Sequence, residues 1–104
     1  MKIIMVFGHH NTRGSFNASV RDTFIEEATQ CGHVVESIDL FDEPTLLPFY
    51  RSDINPPPPL VLDYRQRLEE ADALFLVGAC HNLRFHSILE NWIDWVLHPT
   101  WFFT

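Results

Sequence analysis

Positive charge is scarce in this 104-residue chain: seven Lys and Arg stand against fourteen Asp and Glu, giving a formal net charge of −7. So few cations build no basic face able to neutralise a row of phosphates, which argues against nucleic acid and an anionic membrane surface as partners. Long apolar runs are also missing. Nothing approaches the ~20 residues that a spanning helix needs, and Met1 to Phe7 leads straight into a polar loop without a signal-peptide flank or cleavage pattern. These absences point to a cytoplasmic protein with no membrane insertion. The two cysteines, Cys31 and Cys80, lie far apart with no CxxC pair, so they read as reduced thiols rather than a disulfide framework. Six histidines are present, yet no segment has ligand spacing. His9, His10, Cys80 and His81 could meet only through the fold, and no metal site is expected.

What the chain does have is apolar content, 46% of its residues, enough for the core of one domain. Ile3 to Phe7 is an unbroken apolar run, as in a strand covered on both faces of a parallel sheet. Polar residues begin abruptly at its carboxyl end, Gly8-His9-His10-Asn11-Thr12-Arg13-Gly14. From Ser15, a candidate N-cap, Phe16, Val20, Phe24 and Ala28 recur at helical spacing until Gly32. A strand, a polar loop and a helix start in this order form a phosphate-binding end, because the helix offers open amides and a positive dipole end to an anion.

His33 to Leu40 alternates moderately and suggests an edge strand. Phe41 to Leu60 is irregular, holds six of the seven prolines, and ends in the stiff run Pro56 to Pro59. It reads as a spacer over the sheet, although long loops in compact domains are often functional. Val61, Tyr64, Leu68 and Ala71 mark a second helix with Arg65, Arg67, Glu69 and Glu70 on its wet side. Ala73 to Val77 is a second continuous apolar strand, expected in the middle of a covered sheet. A polar loop, Gly78 to His86, leads to a last helix with the stripe Ile88, Leu89, Trp92, Ile93, Val96 and Leu97, closed by Pro99. Trp95 lies off this stripe and, with Trp101, Phe102 and Phe103, predicts an exposed apolar patch suited to a second subunit. Strand and helix alternate throughout, so the fold class is α/β, three-layer, with a parallel sheet of order 2-1-3 and its switch point beside strand one. The loops at 8–14 and 78–86 then share one crevice.

Residues in four places carry a resemblance. Ser15-Phe16-Asn17-Ala18, the strand ending Asp39-Leu40-Phe41, the lead-in Ala71-Asp72-Ala73-Leu74, and Ile88-Leu89-x-x-Trp92-Ile93-Asp94-x-Val96 together resemble the flavodoxin-like NAD(P)H dehydrogenase (quinone) family. The resemblance spans essentially the whole chain. It implies a flavodoxin-like fold, FAD or FMN as cofactor, NAD(P)H as co-substrate, a hydride passed through the flavin to a quinone-type acceptor, and a homodimer. Carried over by position, His9 stands where the family has a histidine after strand one, and Phe16 and Asn17 match the Phe-Asn pair under the flavin phosphates. Ser15 and Asn17 can donate to phosphate oxygens, and Arg13 can add a charge-assisted contact. Backbone contacts at Cys80, His81, Asn82 and Leu83 complete the candidate set; no catalytic residue is assigned.

The chain also departs from the family. Ala79-Cys80-His81-Asn82 replaces the Pro-x-x-Trp segment of the flavin-ring loop, His86 replaces a later proline, and Glu90 and Asn91 replace Lys and Gly. Losing the tryptophan removes a large apolar contact for the ring. Family members continue well past the position of Thr104, so the expectation is the N-terminal portion of a doubly wound fold, truncated and incomplete. Two functions follow: an NAD(P)H:quinone oxidoreductase-like flavoprotein, or a non-catalytic binding or regulatory subunit that associates through its apolar C-terminal surface. Some relatives of the family assist potassium-efflux systems in that second way.

Overall fold

The structure, a computed structural model, describes residues 1–10, 14–44, 46–54, 56–78 and 87–97, and the backbone at 80–81 and 84–85. Its elements run β1 (Lys2–Gly8), α1 (Phe16–Gln30), β2 (Val34–Asp39), α2 (Pro59–Glu69), β3 (Ala73–Gly78), β4 (Cys80–His81), β5 (Arg84–Phe85) and α3 (Ser87–Val96). The main sheet is parallel with order β2-β1-β3. Its register pairs Lys2 with Val34 through Phe7 with Asp39 on one side, and Ile3 with Ala73 through Gly8 with Gly78 on the other.

β1 is fully buried from Ile4 to Phe7 because both faces are covered. Its alternate residues feed two cores. Ile4 and Val6 join Ile38, Val61, Tyr64, Leu89, Trp92, Trp95 and Val96 under α2 and α3. Met5 and Phe7 join Ala18 and Val77 under α1, making the third layer. Gly8 is required where β1 meets α3: a Cβ there would lie 2.7 Å from the Leu89 Cβ. The strand end therefore abuts the helix directly.

Local chemistry sets the helix ends as the sequence predicts. Ser15 caps α1, its Oγ accepting from the Ala18 amide at 3.0 Å. At the other end the His33 amide donates to Ala28 O and the Gly32 amide to Thr29 O, with Gly32 at φ +87°, a Schellman closure. Pro59 opens α2 at a position where a missing amide hydrogen costs nothing.

Five expectations are corrected. Trp95 is buried, 2% exposed, because residues 46–50 fold over that flank of α3 and Pro48 O accepts from its indole nitrogen at 2.7 Å. Trp101, Phe102 and Phe103 lie outside the described residues, as does Pro99. Arg65 is not on a wet face: it is half-buried, and its guanidinium donates to Trp95 O at 2.7 Å and Val96 O at 3.3 Å, closing the carboxyl end of α3. Burial lowers its pKa. Phe16 is 82% exposed although it begins the helical repeat, because α1 docks through Ala18, Arg21 and Ala28 instead. β3 is an edge strand of the described sheet, not a central one, and its Phe75 is 37% exposed, stacked on Phe24 of α1 with centroids 4.1 Å apart. The stretch after β3, expected as plain loop, contains the antiparallel pair β4 and β5.

Candidate functional site

The carboxyl ends of β1 and β3 lie side by side, since Gly8 pairs with Gly78. In a doubly wound sheet this junction is the ligand crevice. From β1 the chain passes through His9 and His10 and enters α1 after Gly14, whose φ of +77° lies in the left-handed region open to glycine. The half-buried His9 ring stacks on His10 at 4.5 Å and 25°, and His10 meets Phe41 edge-on at 6.3 Å. This aromatic chain ties the end of β1 to the segment that follows β2.

The first turn of α1 supplies the anion-facing chemistry. A helix leaves its first four amides without intrahelical acceptors. Ser15 Oγ takes the Ala18 amide and Ser15 O takes that of Ser19, which leaves the Phe16 and Asn17 amides without an acceptor among the described residues. Asn17 is half-buried beside them. This arrangement fits one phosphate or diphosphate group. No cluster of three metal-ligating side chains occurs among the described residues.

Of the sequence candidates, His9 directly follows β1, and Ser15, Phe16 and Asn17 form the start of α1. Cys80 and His81 form β4, directly after β3, which brings their backbone to the neighbouring strand end. Arg13, Asn82 and Leu83 lie outside the described residues, together with Ala79 and His86.

Sequence reasoning missed Arg21. It is buried at 8% exposure, pairs with Asp22 at 2.9 Å and Asp39 at 3.0 Å, and sits 4.6 Å above the Phe7 ring. Desolvation opposes its charge, but the hydrogen bond it donates to Asp22 and the charge of Asp39 outweigh that and raise its pKa. The ion pair fixes α1 against the ends of β1 and β2, and so holds the helix start at the crevice. Asp22, adjacent in sequence, and Asp39, ending the second strand, were the only signals for it.

Comparison with known proteins agrees with this architecture. A family model described as flavodoxin-like fold matches residues 1–104. An NAD(P)H:quinone oxidoreductase from Solanum tuberosum is 28% identical over 92 residues, covering 84% of this chain and 45% of that protein. Among solved structures, an NAD(P)H:quinone oxidoreductase from Methanothermobacter marburgensis superposes with a TM-score of 0.80 at 25% identity, over 92% of this chain and 52% of that one. Smu.1420 from Streptococcus mutans UA159 gives 0.69 at 25% identity, over 93% and 53%. The chain spans about half the length of these relatives. It belongs to the family of flavodoxin-like fold, with NAD(P)H:quinone oxidoreductases as its relatives by sequence and structure.

Proposed function

We propose that this chain supplies the first half of a flavin-dependent NAD(P)H:quinone oxidoreductase domain and holds the phosphate end of the cofactor. The observation that carries the reading is the start of α1, with two open amides, at the carboxyl end of the central strand. Its relatives named as NAD(P)H:quinone oxidoreductases support the reaction class. When bound, the flavin ring supplies two-electron hydride chemistry between NAD(P)H and a quinone.

This chain's residues bind and orient. The Phe16 and Asn17 amides, the Ser15 hydroxyl and the Asn17 side chain hold phosphate oxygens, aided by the dipole of α1. The Arg21 ion pairs keep that helix end in place. His9, stacked on His10, closes the side next to β1. Arg13 and the backbone of Cys80, His81, Asn82 and Leu83 belong to the same proposal as contacts nearer the ring. A homodimer, in which a second copy borders the site, completes it.

Titration of the folded chain with FAD and with FMN, read by the bound-flavin spectrum, tests this function. Saturable binding of one flavin is expected, and Asn17→Ala lowers the affinity about tenfold through one lost charge-assisted contact. A chain that keeps its circular dichroism and binds neither flavin refutes the proposal and favours the regulatory-subunit reading. NAD(P)H consumption with a quinone then tests the reaction itself.

A further inference from the structure

A second concave site lies on the α2 and α3 side of the sheet, where α1 does not reach. It is a cavity of about 330 Å³ between the segment that follows β2 and the start of α3. That volume is at the small end of the ~300–1,000 Å³ typical of ligand clefts, and suits a two-ring molecule. Its walls are apolar at Leu40, Leu47, Pro48 and Ile88.

The polar groups are few and differ in what they have left to offer. Asn91 is spent: its Oδ1 accepts from the Tyr50 amide at 2.8 Å, and its Nδ2 donates to Pro48 O at 2.9 Å. Ser87 is exposed at the rim. Tyr64 is 2% exposed, with its ring set edge-on to Trp92 at 5.8 Å and the Arg67 guanidinium 5.3 Å above it. It borders the cavity, and its hydroxyl has no hydrogen-bond partner among the described residues. A hydroxyl that no protein group occupies can both donate to and accept from a ligand that enters. Glu43 borders the same space, half-buried, with a carboxylate that only accepts.

We propose that this cavity binds a neutral, hydroxylated two-ring aromatic. The ligand hydroxyl accepts from the Tyr64 O–H and donates to the Glu43 carboxylate, while the rings lie against the four apolar walls. Burial, with the Glu43 charge adding to it, pushes the Tyr64 phenol up to about 12, so the group remains a donor throughout the neutral range. Glu43 and the chain's net charge of −7 disfavour an anionic ligand.

The site goes beyond the flavin reading, and a chain that binds no flavin still tests it. The probe is 2-naphthol, added to the full chain and followed by its own fluorescence, with naphthalene as the analogue that lacks the hydroxyl. One saturable site is expected, with naphthalene at least about tenfold weaker, because a site built around a hydroxyl rejects the molecule without it. Tyr64→Phe and Glu43→Gln preserve side-chain shape, and each brings 2-naphthol down about tenfold, towards naphthalene. Equal affinity for the two probes overturns the proposal. So does unchanged binding in both variants, which places the probe elsewhere, in the crevice beside α1 included. Absence of saturable binding by a natively folded chain overturns it as well, and so does affinity that falls as protein concentration rises, which marks a second copy as the occupant.

Discussion

Tyr64 couples the cavity to stability. Its phenol is pushed from 10.0 up to about 12, first by burial, then by the charge of Glu43, with Arg67 acting in the opposite sense. Because the folded pKa exceeds the unfolded one, the contribution of this group is fully present below pH 10. It is lost as pH rises towards 12, where the unfolded chain ionises and the folded chain resists. A shift of about two units corresponds to roughly 2 to 3 kcal/mol across that window. Urea midpoints measured from pH 9 to 12 are expected to fall more steeply for the native chain than for Tyr64→Phe, which has no phenol to ionise at that position. Parallel slopes would mean that Tyr64 is solvated in the folded state. The same residue shows what a sequence hides. Its place in the helical stripe of Val61, Tyr64, Leu68 and Ala71 marks it as core, but nothing in that spacing says that it borders a cavity built by a segment some twenty residues earlier.

The segment at 46–50 reaches its position through side chains of α3 rather than through any regular structure of its own. Asn91 bridges the Tyr50 amide and Pro48 O, Trp95 donates to the same carbonyl, and Tyr50 lies edge-on to Trp95 with centroids 4.9 Å apart. Asn91→Ala removes two hydrogen bonds and leaves the Tyr50 amide without its acceptor, a loss of about 1 to 3 kcal/mol. Two readouts follow: a lower thermal midpoint, and faster tryptic cleavage after Arg51 as the segment detaches. Unchanged cleavage would show that Trp95 alone holds it. Two signals were legible because they are local: the apolar run of β1 follows from burial on both faces, and the α1 cap follows from Ser15. Burial of Trp95 and Arg65 was not legible, since each depends on a remote partner, Pro48 for the indole and the open carbonyls of α3 for the guanidinium. β4 and β5, two residues each, are too short to show any period. In the candidate site, the α1 start was readable from its residue types, whereas the burial of Arg21 was not, since it depends on Asp39 and Phe7, remote in sequence.

At the scale of the molecule, β1 is the axis on which everything else depends. It separates the two cores, carries both ladders, and ends at the crevice. Its amides bond alternately to β2 and β3, so each is released only when a ladder opens. β2 and β3 are the outer strands of the described sheet, and alternate amides in each face away from β1. Native-state hydrogen exchange at single-residue resolution is therefore expected to show continuous protection over Ile4 to Phe7. Along β3, from Leu74 to Val77, protection should alternate, with the outward amides at least about tenfold faster, about 1.4 kcal/mol less protected. Phe75, stacked on Phe24, covers one face of β3 but bonds to none of its backbone groups. Uniform protection along β3, matching that of β1, would contradict an open outer edge and reveal a further strand paired there in solution. Removing that protection by dilution would assign the strand to a second copy; protection that persists at every concentration would assign it to the same chain.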